Sequence, residues 1–278
     1  MTSFTPMERA DAYLQAGELD DALDALNDQL ADHPDDQHAR RLRAQVLLRL
    51  HTPDHWRAAL AEWAVLDVLT VDDVIHQHTA HLKLGDADGA HRRLIDHAAR
   101  GGEIGADARV IELLLESHYQ RGEAAEGIER LFDLPKTWRW LRWNGDFHAL
   151  KGDHRVALNY YCSALDSLDE STQDAPKSAL GFIGNLRAQI LLRRAPMFER
   201  LGLYAEAAAD YADAQTSAPG DPIIVFKRGM MLCLSGDVEG AIRVCRDVLA
   251  HADDGTRAML TALLADDARY SALIGALD

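Results

Sequence analysis

The stretch TWRWLRW, residues 137–143, sets Trp138, Trp140 and Trp143 among Arg139 and Arg142. Indoles alternating with guanidinium groups suit three kinds of chemistry: anchoring at a lipid surface, stacking on nucleic-acid bases, or packing within a helix. A second stretch, HQHTAH at 76–81, places His78 and His81 three apart on one helical face, as two metal ligands could be. Cys162, Cys233 and Cys245 form no CxxC pair and leave one cysteine over in any disulfide scheme. A reduced cytoplasm and small apolar filler between helices account for them. No GxSxG, HExxH, GxxxxGK[ST] or GxGxxG occurs, so no nucleophile elbow, zinc helix or phosphate loop is offered. Asp20, Asp21, Asp24 and Asp28 fall on a solvated face, and the chain reads as a non-enzyme.

The bulk composition narrows these options. The chain has 278 residues, 47% of them hydrophobic, only 6% aromatic, and a formal charge of −16. Nucleic acid and anionic lipid would repel such a surface, so neither is expected as a partner. The start, MTSFTPMERADAYLQ, has no basic segment followed by an apolar one, and no run approaches the ~18 apolar residues of a spanning helix. The expected location is cytoplasmic.

One phrase recurs along the chain. LQAGELDDALDAL at 14–26 returns as YQRGEAAEGIERL at 119–131, ERLGLYAEAAADY at 199–211 and LSGDVEGAIRVC at 234–245. The shared glycines are Gly17, Gly85, Gly122, Gly152, Gly202 and Gly236; Gly17 and Gly85 lie 68 apart, Gly202 and Gly236 lie 34 apart. Five residues after each stands a small side chain: Ala22, Ala90, Gly127, Ala157, Ala207 or Ala241. A glycine between two amphipathic stretches ends one helix in the left-handed conformation, and the small residue lets the next helix approach closely. Helix–turn–helix units of this kind bury their apolar faces by stacking.

These residues resemble the tetratricopeptide repeat, a family with a 34-residue period. The unit 188–221 carries Ala195, Phe198, Gly202, Tyr204, Ala207, Tyr211, Ala214 and Pro219 at the family's positions. The unit 3–36 carries Ala10, Tyr13, Gly17, Ala22, Leu26 and Pro34, and the unit 222–255 carries Gly229, Leu232, Gly236, Ala241 and Cys245. The resemblance implies an all-α, right-handed superhelical solenoid of about seven helix–turn–helix repeats with a C-terminal capping helix. The repeats are expected near 3–36, 37–70, 71–107, 108–137, 138–169, 188–221 and 222–255, with an insertion at 170–187 and a cap at 256–278, all in one domain. The insertion is expected to be loop-like to Pro176 and then to extend the next helix backwards. Pro135 is expected to stop the second helix of the fourth unit early.

In the repeat frame, positions 4, 7, 8 and 11 face the helix of the same unit, and 2, 5, 9 and 12 face a concave groove. Trp140, Trp143 and Phe147 then form a packing stripe, with Arg139 and Arg142 turned to the groove and Trp143 on its rim. His81, His118 and His148 share position 11, where the family places Tyr, so a packing role outweighs a metal site. The groove is expected from Glu112, Glu116, Tyr119, Arg139, Arg142, Trp143, Gln189, Pro196, Glu199, Arg200, Phe226 and Met230. Pro196 should kink its helix and leave the Leu192 carbonyl without a donor. The lysine pattern of the family's chaperone-tail clamp is missing from the equivalent positions. The implied function is a non-catalytic scaffold holding a peptide or partner helix, with no cofactor and no metal. The alternative is a regulatory subunit or sensor for a small signal peptide or metabolite. Self-association through Phe4, Met7 and Leu14 is a further expectation.

Overall fold

The computed structural model describes residues 4–217, 219–265 and 267–277. The first residue of the first expected repeat, Ala218 of the sixth, and Asp266 and Asp278 of the cap lie outside them. Among the described residues there are seventeen α-helices, two 3-10 turns and no strand. No helix among them is long and apolar enough to cross a membrane. The chain divides into two compact units, Met1–Ser117 and His118–Asp278.

In the first unit the helices pair as α1 (Pro6–Ala16) with α2 (Leu19–Asp32), α3 (Gln37–Arg49) with α4 (Pro53–Ala64), and α5 (Val71–Lys83) with α6 (Ala87–Arg100). A short α7 (Gly102–Ala106) follows, then α8 (Ala108–Arg121), within which the division between units falls. Helix starts are set by side chains that satisfy the orphan N–H groups. Thr5 and Thr70 form capping boxes with Glu8 and Asp73, and Asp36 and Thr52 accept from the first turns of α3 and α4. Ala10, Ala22, Ala25, Leu26 and Val46 make one core cluster, against which Met7 and Leu14 are half-buried; Phe4 is exposed.

The second unit holds α9 (Ala124–Leu131), α10 (Trp138–Leu150), α11 (His154–Thr172), α12 (Leu180–Arg200), α13 (Tyr204–Gln215), α14 (Pro222–Ser235), α15 (Val238–His251), α16 (Asp254–Ala265) and α17 (Ser271–Leu277). α9 is a short helix, ending before Pro135. The insertion differs from expectation at its start, because α11 continues helical to Thr172; a 3-10 turn, Lys177–Ala179, then leads into an α12 prolonged at its N-terminal end. The cap is two helices around a 3-10 turn at Ala268–Tyr270, and Leu260, Leu264, Tyr270 and Leu273 bury their side chains with Phe226 and Cys245.

The six recurring glycines all have positive φ, from +73° at Gly85 to +99° at Gly236. At Gly17 and Gly236 the left-handed residue turns its N–H back to the preceding carbonyls and ends the helix. The small residues after the turns are buried, and Gly127 shows why they must be small: a Cβ there would run into the ring of Phe147.

The three position-11 histidines share one contact. His81 Nδ1 lies 2.9 Å from Asp86 Oδ2, His118 Nδ1 lies 2.8 Å from Glu123 Oε2, and His148 Nδ1 approaches Asp153 Oδ2 at 3.6 Å. Each pairing spans five residues and ties the end of one helix to the residue before the next.

Candidate partner-binding face

α10 carries the tryptophan stretch, and the structure buries two of its three indoles and leaves Trp138 half-buried. Trp140 and Trp143 are almost fully buried, with Trp143 only 4% exposed, and Phe147 is sealed. Trp143 stacks on Phe147 at 5.8 Å between centroids, and Tyr119 meets both rings edge-on at 6.2 and 6.0 Å. The guanidinium of Arg142 lies 4.4 Å from the Trp143 ring centroid, and that of Arg139 reaches the rings of Trp138 and Trp140 at 5.7 and 5.9 Å. Rings this buried are core, and the arginines form its polar lid.

One turn further along α10, Asp146 is only 1% exposed. Its Oδ1 accepts from the Tyr161 hydroxyl at 2.7 Å and from Arg193 Nη1 at 3.2 Å, and its Oδ2 accepts from Arg142 Nη1 at 3.3 Å. Burial pushes the Asp146 carboxyl above its ordinary range, and Arg193, Arg142 and the tyrosine hydroxyl pull the other way. Asp146 thereby joins α10, α11 and α12 through one carboxylate. Gly145, immediately before it, lets Tyr161 lie against the helix, because a Cβ there would stand 2.5 Å from Tyr161 Cε1.

Along α12, Gln189 and Arg200 are exposed, while Pro196 and Glu199 are half-buried between the buried Ala195 and Met197 and the helix end. The helix runs through Pro196 to Arg200, and the Leu192 carbonyl lacks the N–H that any other residue at 196 would supply. Arg194, next to Arg193, points to the other side and forms a fork with Asp210 at 2.9 and 2.7 Å. On α14, Met230 is half-buried.

Two expected groove residues belong elsewhere. Phe226 is 0% exposed, because the capping helices cover the side of α14 that a regular repeat would leave open. Trp143 presents its ring to Phe147, Tyr119 and Arg142, with almost no free surface. Glu112, half-buried, and Glu116, exposed, lie in the first unit, and the other ten expected residues lie in the second. Asp146, Tyr161 and Arg193 were not among the expected site residues. The Arg142–Asp146 spacing of four was visible on a helix, whereas Arg193 stands 47 residues away from Asp146.

A family profile described as tetratricopeptide repeat matches residues 7–66 and 192–256. No curated protein matches the chain. Among solved structures, a tetratricopeptide repeat protein from Parabacteroides merdae is 12% identical, covering 93% of this chain and 96% of that one at a TM-score of 0.57. The C-terminal part of a TPR repeat-containing protein from Cytophaga hutchinsonii is 13% identical, covering 91% and 97% at a TM-score of 0.60. Such identities speak for the fold, an all-α repeat solenoid. With left-handed glycines at the repeated turns and the family profile matching towards both ends of the chain, residues 7–66 and 192–256 are similar to tetratricopeptide repeats.

Proposed function

We propose that the chain is a non-catalytic protein-interaction scaffold, and that the second unit holds a peptide or partner helix along α10 and α12. The observation that carries this reading is the buried Asp146, which pins Arg142 and the half-exposed Arg193 at the surface where the two helices meet. Side chains fixed in this way recognise a partner without a large ordering cost. Arg139, Arg142, Arg193 and Arg200 outnumber Asp146 and Glu199 on these helices, in a chain whose formal charge is −16. An acidic segment is therefore the favoured partner. Tyr119, Gln189, Pro196 and Met230 supply the surrounding polar and apolar contacts.

Affinity capture from the source cell, with partners identified by mass spectrometry and re-measured as purified segments, tests the reading. Arg193→Glu should weaken a genuine partner strongly and remove most of the salt dependence of binding. Pro196→Ala should weaken it as well, with the helical circular dichroism unchanged. A partner held equally by the wild type and both variants would place the binding surface elsewhere.

A further inference from the structure

The first unit contains a cleft of about 500 Å³, a size suited to a small molecule. One wall is apolar: Leu60 and Trp63 from α4, Val68 from the α4–α5 connection, and Ile104 from α7. The connection is held in place, since the Val68 carbonyl accepts from Arg41 Nη2 at 2.8 Å and the Asp67 N–H donates to Gln37 Oε1 at 3.0 Å. The wall is thus preformed.

α6 provides a different surface. Arg93, His97 and Arg100 recur at intervals of four and three, on one helical face, and all three line the cleft. His97 is 4% exposed, and its Nε2 is buried with no hydrogen-bond partner. A buried polar atom of this kind usually has a partner. Arg93 and Arg100 are exposed and make no hydrogen bond or ion pair among the described residues. The lining carries two guanidiniums and one carboxylate, that of Asp67. The cleft is therefore locally cationic within a strongly anionic chain.

We propose that this cleft binds a small amphipathic carboxylate, its anionic head on Arg93, Arg100 and His97 and its hydrocarbon body against Leu60, Trp63, Val68 and Ile104. The arginines select against a cationic or neutral ligand, and the apolar wall selects against a bare inorganic anion. This site shares no residue with the partner-binding face, so either can fail without the other.

Isothermal titration of the full chain with sodium octanoate, octan-1-ol and sodium acetate, at constant ionic strength, tests it. Octanoate should saturate one site with a Kd of about 1 mM or tighter, as a ligand of this size permits. Octanol, which lacks the charge, and acetate, which lacks the body, should each bind about tenfold more weakly or worse. Replacing both exposed arginines, Arg93→Gln with Arg100→Gln, should weaken octanoate about tenfold and leave octanol unchanged. Ala64→Trp, at an exposed position on the cleft, should block octanoate while the thermal midpoint holds. Absence of saturation by octanoate at about 20 mM, equal affinity for octanol, or unaltered binding by the double arginine variant would each overturn the proposal.

Discussion

Arg193 on α12 and Asp146 on α10 are 47 residues apart in sequence and 3.2 Å apart in space, with the Tyr161 hydroxyl on the same carboxylate oxygen at 2.7 Å. Three helices of the second unit are fastened at this one acid. Its environment sets two opposing tendencies: burial favours the protonated carboxyl, and three donors favour the carboxylate.

Tyr161→Phe separates these tendencies. A carboxyl whose folded pKa is raised contributes stability that is present at acid pH and lost as pH rises through the folded value. The tyrosine limits that loss by donating to the ionised form. Removing its hydroxyl should cost about 1.5–3 kcal/mol at pH 7, the range for a bond to a charged group, and less near pH 4. Urea unfolding at both pH values measures the difference; an equal cost at both would mean the hydroxyl does not act on Asp146.

The buried histidines of the first unit predict a second pH effect. Burial lowers the pKa of His97, helped by Arg100 and Arg93 and opposed by Asp96. Burial also lowers that of His78, with His81 acting in the same direction and a backbone hydrogen bond with Ala90 opposing it. For a base whose folded pKa is depressed, stability is present above the unfolded value of ~6.5 and lost as pH falls below it. The first unit should be less stable at pH 5 than at pH 7.5. Amide hydrogen exchange at the two pH values, corrected for intrinsic rates, should show this loss, and His78→Gln should flatten it.

Trp140→Ala should destabilise by about 3–5 kcal/mol, the range for deleting a large buried ring. Native tryptophan emission should be blue-shifted, and anionic vesicles should leave it unchanged. Emission typical of water, with unaltered denaturant melts in the variant, would restore the surface-anchor reading of TWRWLRW.

Ala207 is fully buried at the close approach of α12 and α13. Ala207→Leu should therefore cost about 1–3 kcal/mol through overpacking. A neutral change in urea melts would mean that these helices can move apart at little cost.

The turns were legible from the sequence because the left-handed conformation admits few residues other than glycine, so spacing alone located them. The tryptophan stripe was legible because helical periodicity places 140, 143 and 147 on one side. Phe226 was misassigned for a physical reason. A helical wheel describes one helix, and what closed the open side of α14 was a cap with no repeat signature. The Asp146 cluster and the first unit's cleft share that difficulty, since their residues come together only through tertiary packing. Arg93, His97 and Arg100 had the right spacing, yet nothing local showed that the loop at Val68 would face them.

Gly127 and Phe147 constrain the routes by which this chain can change. The ring occupies the volume a Cβ at 127 would need, so the alanine common at this repeat position is barred while the phenylalanine remains. A smaller residue at 147 would have to come first, opening a void in the core before the new methyl could fill it. Either order passes through a less stable intermediate, so exchanging this pair takes two coupled substitutions, one on α9 and one on α10.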